Sequence, residues 1–355
     1  MKWKLLAAAA LASGAAVAAH ASEESGWVRC WGNNGYGQCT LPEDLGKCRQ
    51  VSGGFGHSIA LRSDGTVRAW GRNDVGQCDV PADLGVCIQI AAGNQHSVAL
   101  RTDGIVRAWG FNTDGQCNVP TDLGPCLKIA SGPYHVIAQC ANGTVRGWGW
   151  NEFGQATPPQ TLGTVISIAG GGAHSAAVRS DGTVVCWGYN AEGQCTPPAN
   201  LGACTQVSAG NAHTVALKSN GWVRCWGYNN AGQCNVPGDL GVCIAVAGGY
   251  EHTIAVKPDG SVRCWGSNWY GQCTVPPDVT DVKRTAGGGN HSITVSIPTA
   301  PCPGDLNLDG QTNGADLGML LALWGTANAG ADLDHDGVVS GSDLGLMLAG
   351  WGACP

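Results

Sequence analysis

Charge is scarce in this 355-residue chain, where Asp, Glu, Lys and Arg together make up only 13%. Phe and Met occur three times each. After residue 19 no stretch approaches the roughly 20 apolar residues that span a bilayer. The C-x-x-C clusters of a zinc site are missing. There is no nucleophile elbow, there are no paired carboxylates in comparable settings, and outside the repeats the only His are His20 and His335. Enzymatic chemistry therefore has no candidate residues, and no catalytic assignment is made. Between Asp305 and Asp343 there is no Lys or Arg at all, although seven Asp lie there. Without Lys2 and Lys4, the rest of the chain carries 17 basic against 19 acidic residues, too even a balance for a nucleic-acid binder.

What is abundant is glycine, 56 residues, and cysteine, 18. Many short strands joined by tight turns fit the first, and an oxidising compartment fits the second. The N-terminus agrees: Lys2 and Lys4 precede an apolar run from Leu5 to Ala19, and Ala19-His20-Ala21 is an A-x-A site. Residues 1–21 read as a secretory signal peptide cut after Ala21, giving a secreted or extracytoplasmic product with no transmembrane segment.

Beyond that leader, a period of 39 residues dominates the chain. Trp31, Trp70, Trp109, Trp148, Trp187, Trp226 and Trp265 each begin W-G-x-N-x-x-G-Q, and His57, His96, His135, His174, His213, His252 and His291 keep step. In one unit, Ile88–Ala92 reads as a strand and His96–Arg101 as a second. Asp103-Gly104 is a hairpin turn and Ile105–Trp109 the return strand, with a short fourth strand expected near Cys117–Pro120. That is the size of one β-propeller blade. Six hairpins are whole. The Trp strand at 26–31 lacks its His strand, and the His strand at 287–298 lacks its Trp strand. Pairing these halves closes a ring and removes two exposed sheet edges. The expected fold is all-β: a seven-bladed β-propeller over 22–297, closed by its N- and C-terminal strands. The repeated Trp are expected between blades, the Asn and Gln on loop backbone, and the His in structural hydrogen bonds.

Cysteines after G-Q have partners nine residues on: Cys39/Cys48, Cys78/Cys87, Cys117/Cys126, Cys195/Cys204 and Cys234/Cys243. Ala156 and Val165 replace both in the fourth unit, as a bonded pair would require, so five disulfides are expected there. The pairing of Cys30, Cys140, Cys186, Cys225, Cys264 and Cys273 cannot be derived from spacing.

Pro298–Pro301 reads as a linker to a second domain, 302–355. It holds DLNLDGQTNGAD (305–316) and DLDHDGVVSGSD (332–343). Each places oxygen ligands at positions 1, 3, 5, 9 and 12, a backbone carbonyl at 7 and Gly at 6, which is a calcium loop. The ligands are Asp305, Asn307, Asp309, the Gln311 carbonyl, Asn313 and Asp316, then Asp332, Asp334, Asp336, the Val338 carbonyl, Ser340 and Asp343. Two Ca²⁺ are expected, and clustered carboxylates should keep the domain unfolded without them. Stripes of Leu317, Leu320, Leu321 and Trp324, and of Leu344, Met347, Leu348 and Trp351, are expected to pack on each other. Cys302 and Cys354 are expected to clasp the ends.

The repeat resembles the regulator of chromosome condensation repeat, in the short form of secreted bacterial propellers of the β-lactamase inhibitory protein type. That resemblance implies a protein-binding scaffold. A secreted, near-neutral chain is not expected to meet a small GTPase or nucleic acid. The tail is similar to a type I dockerin, which implies a cohesin-like partner. Dockerin recognition often uses a hydroxyl pair at loop positions 10 and 11, and this chain departs from it with Gly314-Ala315 and Gly341-Ser342. Function is expected where the repeats vary. Phe55, Tyr134 and Tyr250 precede the His, and Tyr36, Phe111, Trp150, Phe153, Tyr189, Tyr228, Trp269 and Tyr270 come after the Trp-Gly. A meander puts both groups at one end of the ring, where they would bind a protein partner. The alternative is a carbohydrate-binding component of an extracellular polysaccharide-degrading complex.

Overall fold

The computed structural model describes residues 25–297, 304–307, 311–328, 330–334 and 336–353. The expected signal peptide, the expected linker at 298–301, Cys302, Cys354 and Asp309 lie outside them.

The chain enters on β1 (Trp27–Gly32) and then repeats three strands at a time. First come β2 (Cys48–Gly53), β3 (His57–Arg62) and β4 (Val67–Gly71), then β5 (Cys87–Ala92), β6 (His96–Arg101) and β7 (Val106–Gly110). Next are β8 (Cys126–Ser131), β9 (His135–Cys140) and β10 (Val145–Gly149), succeeded by β11 (Val165–Gly170), β12 (His174–Arg179) and β13 (Val184–Gly188). Then come β14 (Cys204–Ala209), β15 (His213–Lys218) and β16 (Val223–Gly227), and β17 (Ala245–Gly248), β18 (His252–Val256) and β19 (Val262–Gly266). Last are β20 (Val282–Gly287) and β21 (His291–Ser296). Each triplet is an antiparallel sheet, and the fourth strand expected near Cys117–Pro120 is irregular turn instead. The seventh sheet is β1-β21-β20, built from both ends of the repeat array.

Register shows how closely that composite sheet copies the others. In the first hairpin Ser58 faces Trp70 and His57 faces Gly71. Across the closure Ser292 faces Trp31 and His291 faces Gly32. The strand that opens the chain is therefore an ordinary third strand supplied from elsewhere in the sequence. Successive inner strands touch in a closed cycle, β20 meeting β2, around a central channel.

Local chemistry explains the strands and their turns. Middle strands such as HSIALR and HSVALR are buried along nearly their whole length, while outer strands such as VRAWG bury only the Val and the Trp. At the Asp-Gly turns the aspartate accepts from the backbone, as Asp64 does from the Thr66 N–H at 2.9 Å. Gly65 takes φ 83° there, a value side-chain-bearing residues rarely adopt. Apolar cores lie between sheets. Ile59, Leu61 and Val67 of the first sheet pack with Cys87, Ile90, Ala99 and Trp109 of the second. Trp31 likewise packs on Ala247, Ile254 and Val256 of the sixth sheet, so the closure has a core of the same kind.

In the C-terminal segment, β22 (Gln311–Thr312) pairs with β23 (Gly352–Ala353), and α1 (Gly314–Ala322) and α2 (Gly341–Ala349) come after the two acidic loops. Asn313 with Asp316, and Ser340 with Asp343, form capping boxes. Leu320, Ala331, Val339 and Met347 are its buried core, backed by Leu306, Leu317, Leu323, Leu333 and Leu344. The expected stripe-on-stripe packing is only half right. Leu321, Trp324, Leu348 and Trp351 are exposed. Both helices end before the Trp positions, and loop residues fill the space those side chains were expected to occupy.

Candidate interaction surface

Most recurring polar residues are used up in the frame. All seven repeat His are fully buried, and each reaches a hydroxyl on the next sheet. His57 Nε2 lies 3.1 Å from Ser97 Oγ, His174 Nε2 2.9 Å from Thr214 Oγ1, and His291 closes the cycle at 3.0 Å from Ser58. Val136 interrupts the pattern, so His96 turns to Ser131 at 2.9 Å. Ser58 Oγ gives its one proton to the Gln38 carbonyl, 2.9 Å away, so it accepts from His291. Nε2 of His291 therefore carries a proton. The Gln38 carbonyl also accepts the Trp70 indole N–H at 2.9 Å. His, hydroxyl, Gln carbonyl and Trp form one such relay in six of the seven sheets, the exception being the sheet of Val136. Burial holds the imidazoles far below their usual 6.5, at about 4 for His57 and about 3 for His291.

The Asn and Gln side chains secure the loops as expected. Asn34 Oδ1 accepts from Cys39 N at 2.8 Å and Gln38 Oε1 from Tyr36 N at 2.9 Å, and the other repeats do likewise. Inner strands are bracketed by glutamines: Gln50 both donates to and accepts from the Ile90 backbone. The channel, about 280 Å³, is therefore lined by side chains already engaged, with Phe55 and Tyr250 at its mouth.

The cysteines are placed otherwise than their spacing suggested. Cys39 is bonded to Cys30, not Cys48, and Cys273 to Cys264. Cys78, Cys87, Cys117, Cys126, Cys195, Cys204, Cys234 and Cys243 are thiols. The reason is the path of the chain. Cys78 starts the segment that descends the outside of the sheet, with its N–H on Asn73. Cys87 ends that segment at the opposite edge, with its N–H on Gly65. A five-residue strand spans about 17 Å, well beyond disulfide reach. The residue before the Trp, in contrast, abuts the residue after G-Q: a Cβ on Gly147 would lie 2.4 Å from the Ala156 carbonyl oxygen. The sequence signal was there, because only an upstream partner accounts for Cys273.

The aromatic residues do collect at one end. Arg72 N bonds the Gly56 carbonyl and Trp150 N that of Tyr134, which joins the two kinds of loop side by side. Tyr134, Trp150, Phe153 and Tyr189 form a continuous cluster, edge-on at the first two contacts and tilted at the third, with centroid separations of 6.1, 5.5 and 4.8 Å. Phe55 and Tyr250 pair at 6.2 Å. Tyr36 meets Arg72 instead, 5.1 Å from ring centre to guanidinium carbon. Phe111, Tyr228, Trp269 and Tyr270 make no ring contact among the described residues, and Trp269 is 90% exposed. The variable-position reading missed Arg72, and Asn94, which donates to the Tyr134 hydroxyl at 3.1 Å. The segregation is not total, since Trp27 and Trp222 stand at the hairpin-turn end.

In the C-terminal segment, carboxylate oxygens of Asp332, Asp334 and Asp343 lie within 4.8 Å of one another. Asp343 accepts from Leu333 N and Ser340 N at 2.6 and 2.7 Å, and Asp316 from Asn307 N and Asn313 N at 3.0 and 2.9 Å. Three converging carboxylates, in a segment where no Lys or Arg lies between Asp305 and Asp343, suit a hard cation.

The regulator of chromosome condensation (RCC1) repeat model matches residues 48–77, 87–116, 127–155, 165–194, 204–233 and 243–272. The composite seventh unit is split in sequence and falls outside these matches. Yeast RCC1 (Prp20), solved bound to Kap60, is 19% identical with a TM-score of 0.67, over 79% of this chain and 90% of that one. Human WBSCR16 is 18% identical with a TM-score of 0.64, over 78% and 100%. The ectodomain of the Physcomitrella patens receptor kinase CR4 is 27% identical with a TM-score of 0.59, over 68% and 67%. No curated protein matches the sequence.

Proposed function

The chain belongs to the regulator of chromosome condensation (RCC1) repeat family, and from that we propose that it is a seven-bladed β-propeller serving as an extracytoplasmic, non-enzymatic interaction scaffold. One observation carries the reading. The recurring His, Trp, Asn and Gln side chains each bond within the frame, while the variable loops at one end hold the packed cluster Tyr134–Trp150–Phe153–Tyr189. Tyr and Trp dominate protein-binding hot spots because they bring large contact area at low entropic cost. The leader at 1–21 supports export, as does the use of a similar fold in the CR4 receptor ectodomain. Affinity capture with the full chain as bait tests the proposal, repeated with Phe111, Trp150, Tyr189 and Tyr228 changed to Ala. Loss of the captured protein supports it, and undiminished capture overturns it.

The C-terminal segment is a dockerin-like module that takes two Ca²⁺ through six groups in each acidic loop, from Asp305 to Asp316 and from Asp332 to Asp343, and attaches the scaffold to a cohesin-like or surface partner. What supports this is the convergence of Asp332, Asp334 and Asp343, together with the exposed Leu321, Trp324, Leu348 and Trp351. A polysaccharide ligand is a second reading, favoured by Trp269, whose ring is free to stack on a sugar. Glycan arrays separate the two.

A further inference from the structure

The aromatic end of the ring has an uneven charge. Of the 17 Lys and Arg that come after residue 4, only Arg72 stands in its loops. Arg49, Lys128, Lys283 and Arg284 stand on inner strands, and the others on the outer strands or at the hairpin-turn end. Arg68, Arg107, Arg146 and Arg263 pair there with Asp44, Asp83, Asp122 and Asp239. The aromatic end holds Asp74, Asp114, Glu152, Glu192 and Glu251. Asp74 is neutralised by Arg72. The other four have no salt-bridge partner among the described residues, and Asp114, Glu152 and Glu192 are exposed.

Arg72 shows how this end holds a cation. Its guanidinium lies over the Tyr36 ring and is bound by the Asp74 carboxylate. Three repeats further on, Phe153 stands in the place of Tyr36 and Tyr189 in the place of Arg72. The rings recur there without a cation, and Ala191 stands in the place of Asp74; the nearby carboxylates are the exposed Glu152, which precedes Phe153, and the exposed Glu192, three residues after Tyr189. Glu251 likewise stands next to Tyr250, whose pKa is raised by burial first and then by the charge of Glu251.

We infer that this end docks a protein segment presenting Arg or Lys side chains, which lie on the Trp150–Phe153–Tyr189 cluster and pair with Glu152 and Glu192. The inference rests on the scaffold reading and specifies the partner's chemistry. Aromatic faces attract such cations, and unpaired carboxylates strengthen and orient the attraction.

Fluorescence anisotropy of a labelled Gly-Ser peptide bearing several arginines, with the full chain and saturating calcium, tests this. The comparison peptide carries citrulline, the same shape without the charge. The arginine peptide should bind about tenfold tighter or better, and should weaken several-fold as ionic strength rises from about 0.05 to 0.3 M. Trp150→Ala should weaken it about tenfold, as should the double variant Glu152→Gln with Glu192→Gln, with Asp83→Asn on the rim as the unaffected control. Equal binding of the two peptides, with both lost in Trp150→Ala, overturns the cationic preference and leaves the aromatic surface standing. Arginine-peptide binding that ignores both sets of variants removes the surface itself. Failure of the arginine peptide to bind also overturns the inference.

Discussion

Trp31 donates its indole N–H to the main-chain carbonyl of Gln272 at 2.9 Å, joining positions 241 residues apart. Ser292 donates to the same carbonyl at 2.8 Å. One acceptor thus receives the first and last strands of the array, as the Gln38 carbonyl receives Trp70 and Ser58 inside it.

If that joint closes the ring, Trp31→Ala should destabilise as much as the loss of an interior Trp. Burial lost plus the cavity left cost about 3–5 kcal/mol, or roughly 10 °C in melting temperature for a domain of this size. Calorimetry of Trp31→Ala beside Trp109→Ala measures it. A Trp31 variant that melts with the parent would mean the terminal strand is dispensable.

The buried imidazoles should make the ring acid-labile. Burial lowers them to about 4 in His57, His135 and His213, and to about 3 in His96, His174, His252 and His291. Unfolded, they bind protons near pH 6.5, so the unfolded chain holds more protons between 6.5 and the folded values. Their contribution is complete above about pH 6.5 and falls as pH drops through that window. Each costs about 1.4 kcal/mol per unit, so one unit down the seven remove on the order of 10 kcal/mol, comparable with a whole domain's stability. Melting temperatures from about pH 7.5 to 5 should fall steeply, and a flat profile would contradict this.

Cys186 and Cys195, and Cys225 and Cys234, occupy the repeat positions that are bonded in Cys30–Cys39 and Cys264–Cys273. With glutathione disulfide as oxidant, each thiol pair should lose two protons and two electrons, the reagent leaving as two thiols. Non-reducing peptide mapping should then recover four cross-links of this one type. A Cys78–Cys87 peptide would refute the geometry.

Calorimetric titration of the full chain should count two Ca²⁺. Asp316→Ala and Asp343→Ala should each reduce the count to one, because each removes the position-12 carboxylate of one loop. A count that neither change alters would assign the ions elsewhere.

The ring was largely readable from sequence, because Trp and His at a fixed period mark equivalent places and an unpaired half at each end leaves one closure. The disulfides were not. Nine residues separate Cys39 from both Cys30 and Cys48, and only the reversal at Gly35–Gly37, against the extended run beyond, decides between them. Helical periodicity misled in the C-terminal segment, since α1 stops at Ala322 and leaves Trp324 outside the helix. The aromatic end was legible from alternation alone, but its cluster was not, because Trp150 meets Tyr134 across sequence while Phe111 does not.

Hydrogen-exchange mass spectrometry on the full chain, with and without a captured protein partner, tests the interaction surface most directly. The account predicts slowed exchange in the loops holding Tyr134, Trp150, Phe153 and Tyr189, with the hairpin turns unchanged. Protection confined to those turns, at Asp64-Gly65 and Asp103-Gly104 and their equivalents, would contradict it.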